Sequence, residues 1–150
     1  MADRITPEQR SRNMQQVHGK DTKPEVYIRR LLFSDGYRYR IHSNHVPGHP
    51  DIWMKKYNTA IYVHGCFWHR HEGCKYASVP SSNSEFWNDK FMKNITRDQE
   101  VKKSLSKKNI KCLVIWECTI KDMHKSLEKE KSVLREIESF LNKSDSYKEL

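Results

Sequence analysis

The chain has 150 residues, a length that suits one domain with its own core, and 28 Lys plus Arg against 19 Asp plus Glu give it a formal net charge of +9. That excess favours a polyanion partner, nucleic acid above all, although a solvated lysine face gives the same balance. No apolar run approaches the ~18 residues a bilayer span needs and "MADRITPEQR" is too polar for a signal peptide, so a cytoplasmic protein with no membrane partner is expected, its four cysteines reduced and available for metal or burial.

In chain order, "TKPE" at residues 22–25 reads as a capping box, with Thr22 as cap, Pro24 in the first turn and Glu25 reaching back. The helix that follows sets Ile28, Leu31 and Leu32 on one face and stops at Gly36. "YRYRI" alternates like a half-buried strand. Beyond the "PGHP" turn, "DIWMK" and "TAIYVH" flank the short connection "KYN", which predicts a β-hairpin. Asp51 opens its first strand and His64 closes its second, so an antiparallel pairing makes them neighbours at the rim of a sheet. A helix is expected from about Ser84 to Leu105, with Trp87, Phe91, Ile95 and Leu105 near helical spacing. "KCLVIWE" has the near-continuous apolar character of a strand buried mid-sheet. A last helix over Lys121–Asn142 repeats Leu127, Leu134, Ile137 and Leu141, and residues 143–150 read as a flexible tail. The order α-β-β-β-α-β-α predicts an α/β fold, a mixed central sheet flanked by helices, in one domain spanning 1–150.

The stretch "HGCFWHRHEGCKY" concentrates chemistry: three histidines, two cysteines and an aromatic pair within residues 64–76. Structural zinc takes four ligands in a tetrahedron, commonly thiolate and imidazole. Cys66, His71 and Cys74 are close enough in sequence to share one ion, and Cys118, just past the buried strand, is the natural fourth because it ties the loop to the sheet. Cys112 lies inside that strand on the face of Val114 and Trp116 and reads as core. Cys66 and Cys74 also have a plainer reading as small buried residues, but the loop has too few aliphatics for a core of its own.

Phosphodiester hydrolysis needs a metal-bound carboxylate to polarise the phosphate and a base to activate water, and histidine, with an ordinary pKa of about 6.5, suits the second role. Asp51, His64 and His69 supply these types, and Glu25 joins them if its helix packs over the sheet edge. Each also has a structural reading. Asp51 follows Pro50 as turn chemistry would, Glu25 completes a capping box, His64 ends a strand, and His69 sits in a polar loop.

"RSRNMQQVHGKDTKPE", "PGHPDIW", "VHGCFWHRHEGC", "EFWNDKFMKN" and "VIWEC" resemble, in order and spacing, the very-short-patch-repair (Vsr) mismatch endonucleases over nearly the whole chain. The resemblance implies a restriction-endonuclease-like core with a structural zinc loop, and an enzyme of bacterial type, acting at the nucleoid. Such an enzyme nicks one strand of double-stranded DNA 5′ to the thymine of a T:G mismatch left by deamination of 5-methylcytosine. It implies catalytic Mg2+ held by Asp51 and by the backbone carbonyl at Val63, where relatives often have threonine. His69 would be the general base, with His64 and Glu25 in support. Structural Zn2+ would sit on Cys66, His71, Cys74 and Cys118.

By the same resemblance Phe67 and Trp68 form a wedge into the base stack, Trp87 is a third aromatic, and Met14 enters from the minor groove on an N-terminal segment, 1–20, that embraces the DNA. Lys90 and Asn94 match positions that read bases or phosphates. Mismatch-repair proteins are the expected partners after the nick, and a monomer is expected. The other readings are a Vsr-like nickase of relaxed or different specificity in restriction or defence, and a noncatalytic zinc-containing DNA-binding module. The plainer reading of Phe67, Trp68 and Trp87 is core packing, but neighbours in an extended loop do not easily both point inward, which favours exposure of the Phe67–Trp68 pair.

Overall fold

The computed structural model describes residues 21–150; the segment 1–20, with Met14, lies outside the described residues. The element order is α1 (Lys23–Ser34), β1 (Ile52–Met54), a 3-10 turn (Lys55–Tyr57), β2 (Thr59–His64), α2 (Ser84–Lys107), β3 (Lys111–Trp116), α3 (Glu117–Lys125), α4 (Leu127–Asn142) and β4 (Tyr147–Glu149). One four-stranded sheet runs β1-β2-β3-β4. Its first pair is antiparallel and the other two are parallel. The expected mixed sheet flanked by helices is therefore present, and it fits a restriction-endonuclease-like core.

Local chemistry places the elements as the sequence predicts in most of the chain. Thr22 Oγ1 accepts from the Glu25 N–H at 3.4 Å, and the Glu25 carboxylate reaches back to the Asp21 N–H at 2.7 Å. The helix ends at Gly36, φ +95°, with the Tyr37 N–H returning to the Leu32 carbonyl at 3.0 Å. α2 ends in the same way with asparagine in the glycine's place: Asn109 takes φ +59° and the Ile110 N–H bonds to the Leu105 carbonyl at 2.9 Å. The hairpin turns at Asn58, φ +50°, and pairs Ile52 with Ile61.

Three expectations are corrected. "YRYRI" is not a strand: only Arg40 bridges, to Trp53, through backbone bonds of 2.9 and 2.8 Å, because His42, at φ +52°, turns the chain away. The single C-terminal helix is two. Ser126 adopts extended backbone, φ −146° and ψ 121°, and its side chain caps α4 by accepting from the Lys129 N–H at 3.2 Å. Leu127, read as a core position, is consequently 65% exposed, while Val133 and Phe140 go inside.

The third correction concerns residues 143–150. Within them Tyr147–Glu149 form β4, docked parallel to β3 and flanked by bonds from the Cys112 N–H to the Ser146 carbonyl, 2.9 Å, and from the Leu150 N–H to the Val114 carbonyl, 2.8 Å. A buried central strand needs partners for its backbone on both edges, and the terminal residues supply the second edge.

Strand alternation divides the packing between two faces. Ile52, Met54, Ile61, Leu113 and Ile115 meet α1, α3 and α4 in an aliphatic core. Ala60, Tyr62, Cys112, Val114 and Trp116 face α2 and the loop after β2, together with Val46, Cys66 and Leu105. Cys112 is core, as read. The 65–83 connection and α2 thus cover one face only, and the sites are built there. Among the described residues no helix is long and apolar enough to cross a membrane.

Candidate active site and metal centre

The hairpin brings together the two strand ends as expected. Asp51 Oδ2 accepts from the Val63 N–H at 2.6 Å, one residue before His64. Glu25, 5% exposed at the start of α1, stands beside it. Arg29 bridges Glu25 at 3.1 Å and Asp21 at 2.8 Å, and His42 holds Asp21 from the other side at 2.9 Å. Burial pushes the Asp51 carboxyl up to about 7; Glu25 pushes in the same direction, while the Val63 N–H and Arg29 pull it down. Two crowded carboxylates with partial compensation form the charge arrangement that a divalent cation relieves, and oxygen donors of this type are what magnesium takes.

His64 and His69 come from different pieces of chain, the end of β2 and the loop beyond it. Their rings stack with centroids 3.9 Å apart and planes within 4°. Burial, then the neighbouring His69, lowers the His64 pKa to about 3, so this ring is neutral near pH 7. His69 Nδ1 lies 2.7 Å from Asp98 Oδ2 on α2. His64, His69 and Asp98 also have donor atoms near enough to suggest a shared ion, but imidazole binds a metal in its own ring plane, and two parallel stacked planes do not meet. The arrangement is instead that of a carboxylate-oriented imidazole with a second ring packed on its face.

Asp98 was not evident as a site residue. A carboxylate on the polar side of a lysine-rich helix reads as solvated, yet Lys90, Asn94 and Asp98 are spaced at four-residue intervals, one stripe along α2. All three line one cleft of about 1,020 Å³ with Glu25, Asp51, His64 and His69. Arg97 lines it too and sits beside Asn94, 3.4 Å between Nη2 and Oδ1. Asn94 commits its amide to the Trp68 carbonyl at 2.9 Å, so in the free protein it ties the loop to α2. Lys90 Nζ lies 5.5 Å from the Trp68 ring centroid.

The second cluster is the one the cysteine spacing predicts. Donor atoms of Cys66, His71, Cys74 and Cys118 all lie within 4.8 Å of one another. His71 Nδ1 is 3.6 Å from Cys66 Sγ and 3.4 Å from Cys118 Sγ. A tetrahedral zinc site with bonds of about 2.1–2.3 Å has ligand edges of about 3.6 Å, so the donor set could hold zinc with little movement. All four cysteines are free thiols. Burial pushes the Cys66 thiol up to about 12, and a bound cation is what would stabilise its thiolate. Trp116 lies flat against His71, centroids 4.1 Å apart and planes within 5°, and its Nε1 donates to Glu149 Oε1 at 2.7 Å. Trp116 and Glu149 therefore form an outer support for this cluster that the sequence did not reveal.

Between the two clusters stand the aromatics. Phe67 meets Trp68 at 5.1 Å, Trp87 at 5.4 Å and Phe91 at 5.3 Å. The expectation that adjacent rings in this loop do not easily both turn inward, and so are exposed, is corrected. The loop is a tight turn, with the His69 N–H bonded to the Gly65 carbonyl and the His71 N–H to the Cys66 carbonyl, both at 3.0 Å. Both rings therefore join one edge-to-face cluster, half-buried, with Trp87 at 7% exposure behind them.

Comparison with known proteins places the chain in a family. The family model for the DNA mismatch endonuclease Vsr matches residues 2–75. The chain is 41% identical over 137 residues to the type II nicking enzyme V.NmeAIP of Neisseria meningitidis serogroup A, covering 91% of this chain and 97% of that one. It is 42% identical over 123 residues to the type II nicking enzyme V.XorIIP of Xanthomonas oryzae pv. oryzae, covering 82% and 90%. The DNA mismatch endonuclease Vsr of Escherichia coli K12 is 35% identical over 125 residues, covering 83% of this chain and 80% of its own.

Proposed function

The chain belongs to the Vsr family of DNA endonucleases, and on that premise we propose that it nicks one strand of duplex DNA at T:G mismatches, 5′ to the thymine, with magnesium. The observation that carries this reading is convergence: Asp51, His64 and the His69–Asp98 pair open into one cleft, and Trp68 of the aromatic cluster lies on its wall. A noncatalytic DNA-binding module has no use for that set.

The residues divide the work by their chemistry. Asp51 and the Val63 carbonyl would hold magnesium, which supplies Lewis acidity to a phosphodiester oxygen. His69, its Nδ1 engaged by Asp98, keeps Nε2 free to take a proton from the attacking water, and the carboxylate fixes ring orientation and tautomer. His64, neutral and stacked on His69, restricts that ring to one position. Glu25, anchored by Arg29, holds the acidic side of the cleft in place.

Phe67 and Trp68 would enter the base stack with Trp87 behind them. Unstacking a base step costs a few kcal/mol, least at a mismatch, and stacking on an aromatic ring returns roughly 1–3 kcal/mol per base. Preference for a weakened step follows. Zinc on Cys66, His71, Cys74 and Cys118 would brace the turn that carries both His69 and the rings.

A second reading has its own support: the two relatives at 41% and 42% identity carry the name type II nicking enzyme. On that reading the chain is a nickase of relaxed or different specificity. The deciding experiment is a magnesium-dependent nicking assay on duplexes identical except for one T:G mismatch or its T:A match, across varied flanking sequences. Nicking confined to the mismatched strand is expected. Equal nicking of both duplexes would replace mismatch recognition with the second reading, and binding without nicking would remove the enzyme.

A further inference from the structure

Arg70 stands between two histidines with different duties. His69 lines the cleft, and His71 faces the sulfurs. In an extended chain, residues two apart point the same way. Arg70 breaks that pattern with φ +53°, a left-handed conformation that non-glycine residues adopt uncommonly.

The side chain is as constrained as the backbone. Nη1 donates to the Phe67 and Ser78 carbonyls, both at 3.1 Å, and Nη2 donates to the Ala77 carbonyl at 2.7 Å. Its acceptors thus lie at both ends of the metal-site loop. The guanidinium carbon also sits 3.9 Å from the Phe91 ring centroid and 5.5 Å from that of Phe67. A planar fork with several donors and two stacking faces can make this set of contacts; a lysine ammonium cannot.

A basic residue in a loop expected to meet DNA would ordinarily be assigned to a phosphate. Here the donors turn inward. We propose that Arg70 is a positioning residue: its guanidinium clamps the two ends of the loop together and fixes the Phe67 ring against Phe91 and Trp87, which sets the enzyme's discrimination between mismatched and matched steps. The effect on discrimination rests on the mismatch-nicking reading, whereas the clamp itself does not.

Two variants separate the alternatives. Arg70→Asn tolerates the left-handed backbone but removes the clamp, and Arg70→Lys keeps the charge without the fork. Near-ultraviolet circular dichroism of the free, zinc-loaded protein reads the fixed ring geometry without substrate. For Arg70→Asn, the aromatic signal is expected to fall while far-ultraviolet dichroism and zinc content hold, and the T:G over T:A nicking ratio is expected to drop about tenfold. Arg70→Lys should recover part of both. An unchanged aromatic spectrum in both variants would overturn the clamp. So would a fall of about 0.9 in the log–log salt slope of DNA binding with the spectrum intact, since that marks a lost phosphate contact. If the unmodified protein nicks T:G and T:A alike, the mismatch reading fails, and a spectral change in the variants still supports the clamp. Should Arg70→Asn not fold, Arg70→Lys against the unmodified protein carries the same comparison.

Discussion

The two faces of the sheet are built from different materials. Toward α1, α3 and α4 the buried contacts are mainly aliphatic, from Ile28 and Leu32 through Leu113 and Ile115 to Ile137 and Leu141, with Phe140 as the one buried ring. Toward α2, Tyr62, Trp116, Cys66 and Cys112 join Val46, Ala60, Leu105 and Val114, and the covering segment carries the ring cluster, most of the sulfur cluster and one wall of the cleft. Aliphatic burial stabilises in proportion to area and is indifferent to direction, whereas the second face holds its side chains through directed bonds and stacked rings. One face therefore carries stability and the other geometry, and the two should fail separately.

The largest separation is expected at Asp51. Asp51→Ala should lower the nicking rate about a thousandfold or more, the several kcal/mol a metal-holding carboxylate contributes. The variant should keep its mismatch binding, and its urea midpoint should change little, because relief of a buried acid crowded by Glu25 is offset by loss of the acceptor for the Val63 N–H. Nicking that survives the substitution would take Asp51 out of the mechanism. Ile137→Ala is the opposite case. Ile137 is fully buried in α4, and truncation should cost about 2–5 kcal/mol, read as a lower urea midpoint. The rate per folded molecule should hold, and a rate that falls with stability would show that the two faces are coupled.

Much of this division is legible in the sequence, for reasons that differ by residue. The caps at Thr22 and Gly36, the hairpin that joins Asp51 to His64, and the buried run of β3 are local patterns, so they follow from neighbours in the chain. Cys118 is placed because it directly follows that run. The elements that escape depend on distant demands. β4 exists because β3 has an unpaired edge, and nothing in "SYKEL" announces it. The break at Ser126 is a contest between one capping side chain and continued helix, which periodicity does not decide. Asp98 and Arg70 look like ordinary surface charges until the loop after β2 folds against α2, and they acquire their partners only then.

Asp98 offers a smaller test than Asp51, since it touches neither metal nor substrate. Asp98→Asn keeps the side chain's shape but can offer an N–H to His69 Nδ1, which moves the ring proton to Nε2 and blocks its role as acceptor. The nicking rate at saturating DNA should fall roughly ten- to a hundredfold with little change in the DNA concentration needed for half-maximal rate. A change confined to that concentration would make Asp98 a binding residue instead.

The smallest effect tests whether the terminal strand belongs to the chemistry of its face or only to the sheet. Glu149 on β4 accepts from Trp116 Nε1, Trp116 lies flat on His71, and His71 Nδ1 points at the Cys66 and Cys118 sulfurs. Glu149→Ala strands the N–H of a tryptophan that is itself only 8% exposed and loosens the ring that fixes His71. Removal of an outer support of this kind typically weakens metal binding by at least about tenfold, so zinc transfer to a chromogenic chelator should quicken by that factor. Glu149→Gln keeps an oxygen acceptor and should release zinc at the original rate. If the alanine variant also releases zinc at that rate, β4 only completes the sheet and the orientation of His71 is set within the loop; if both variants release it faster, the carboxylate's charge matters more than its hydrogen bond.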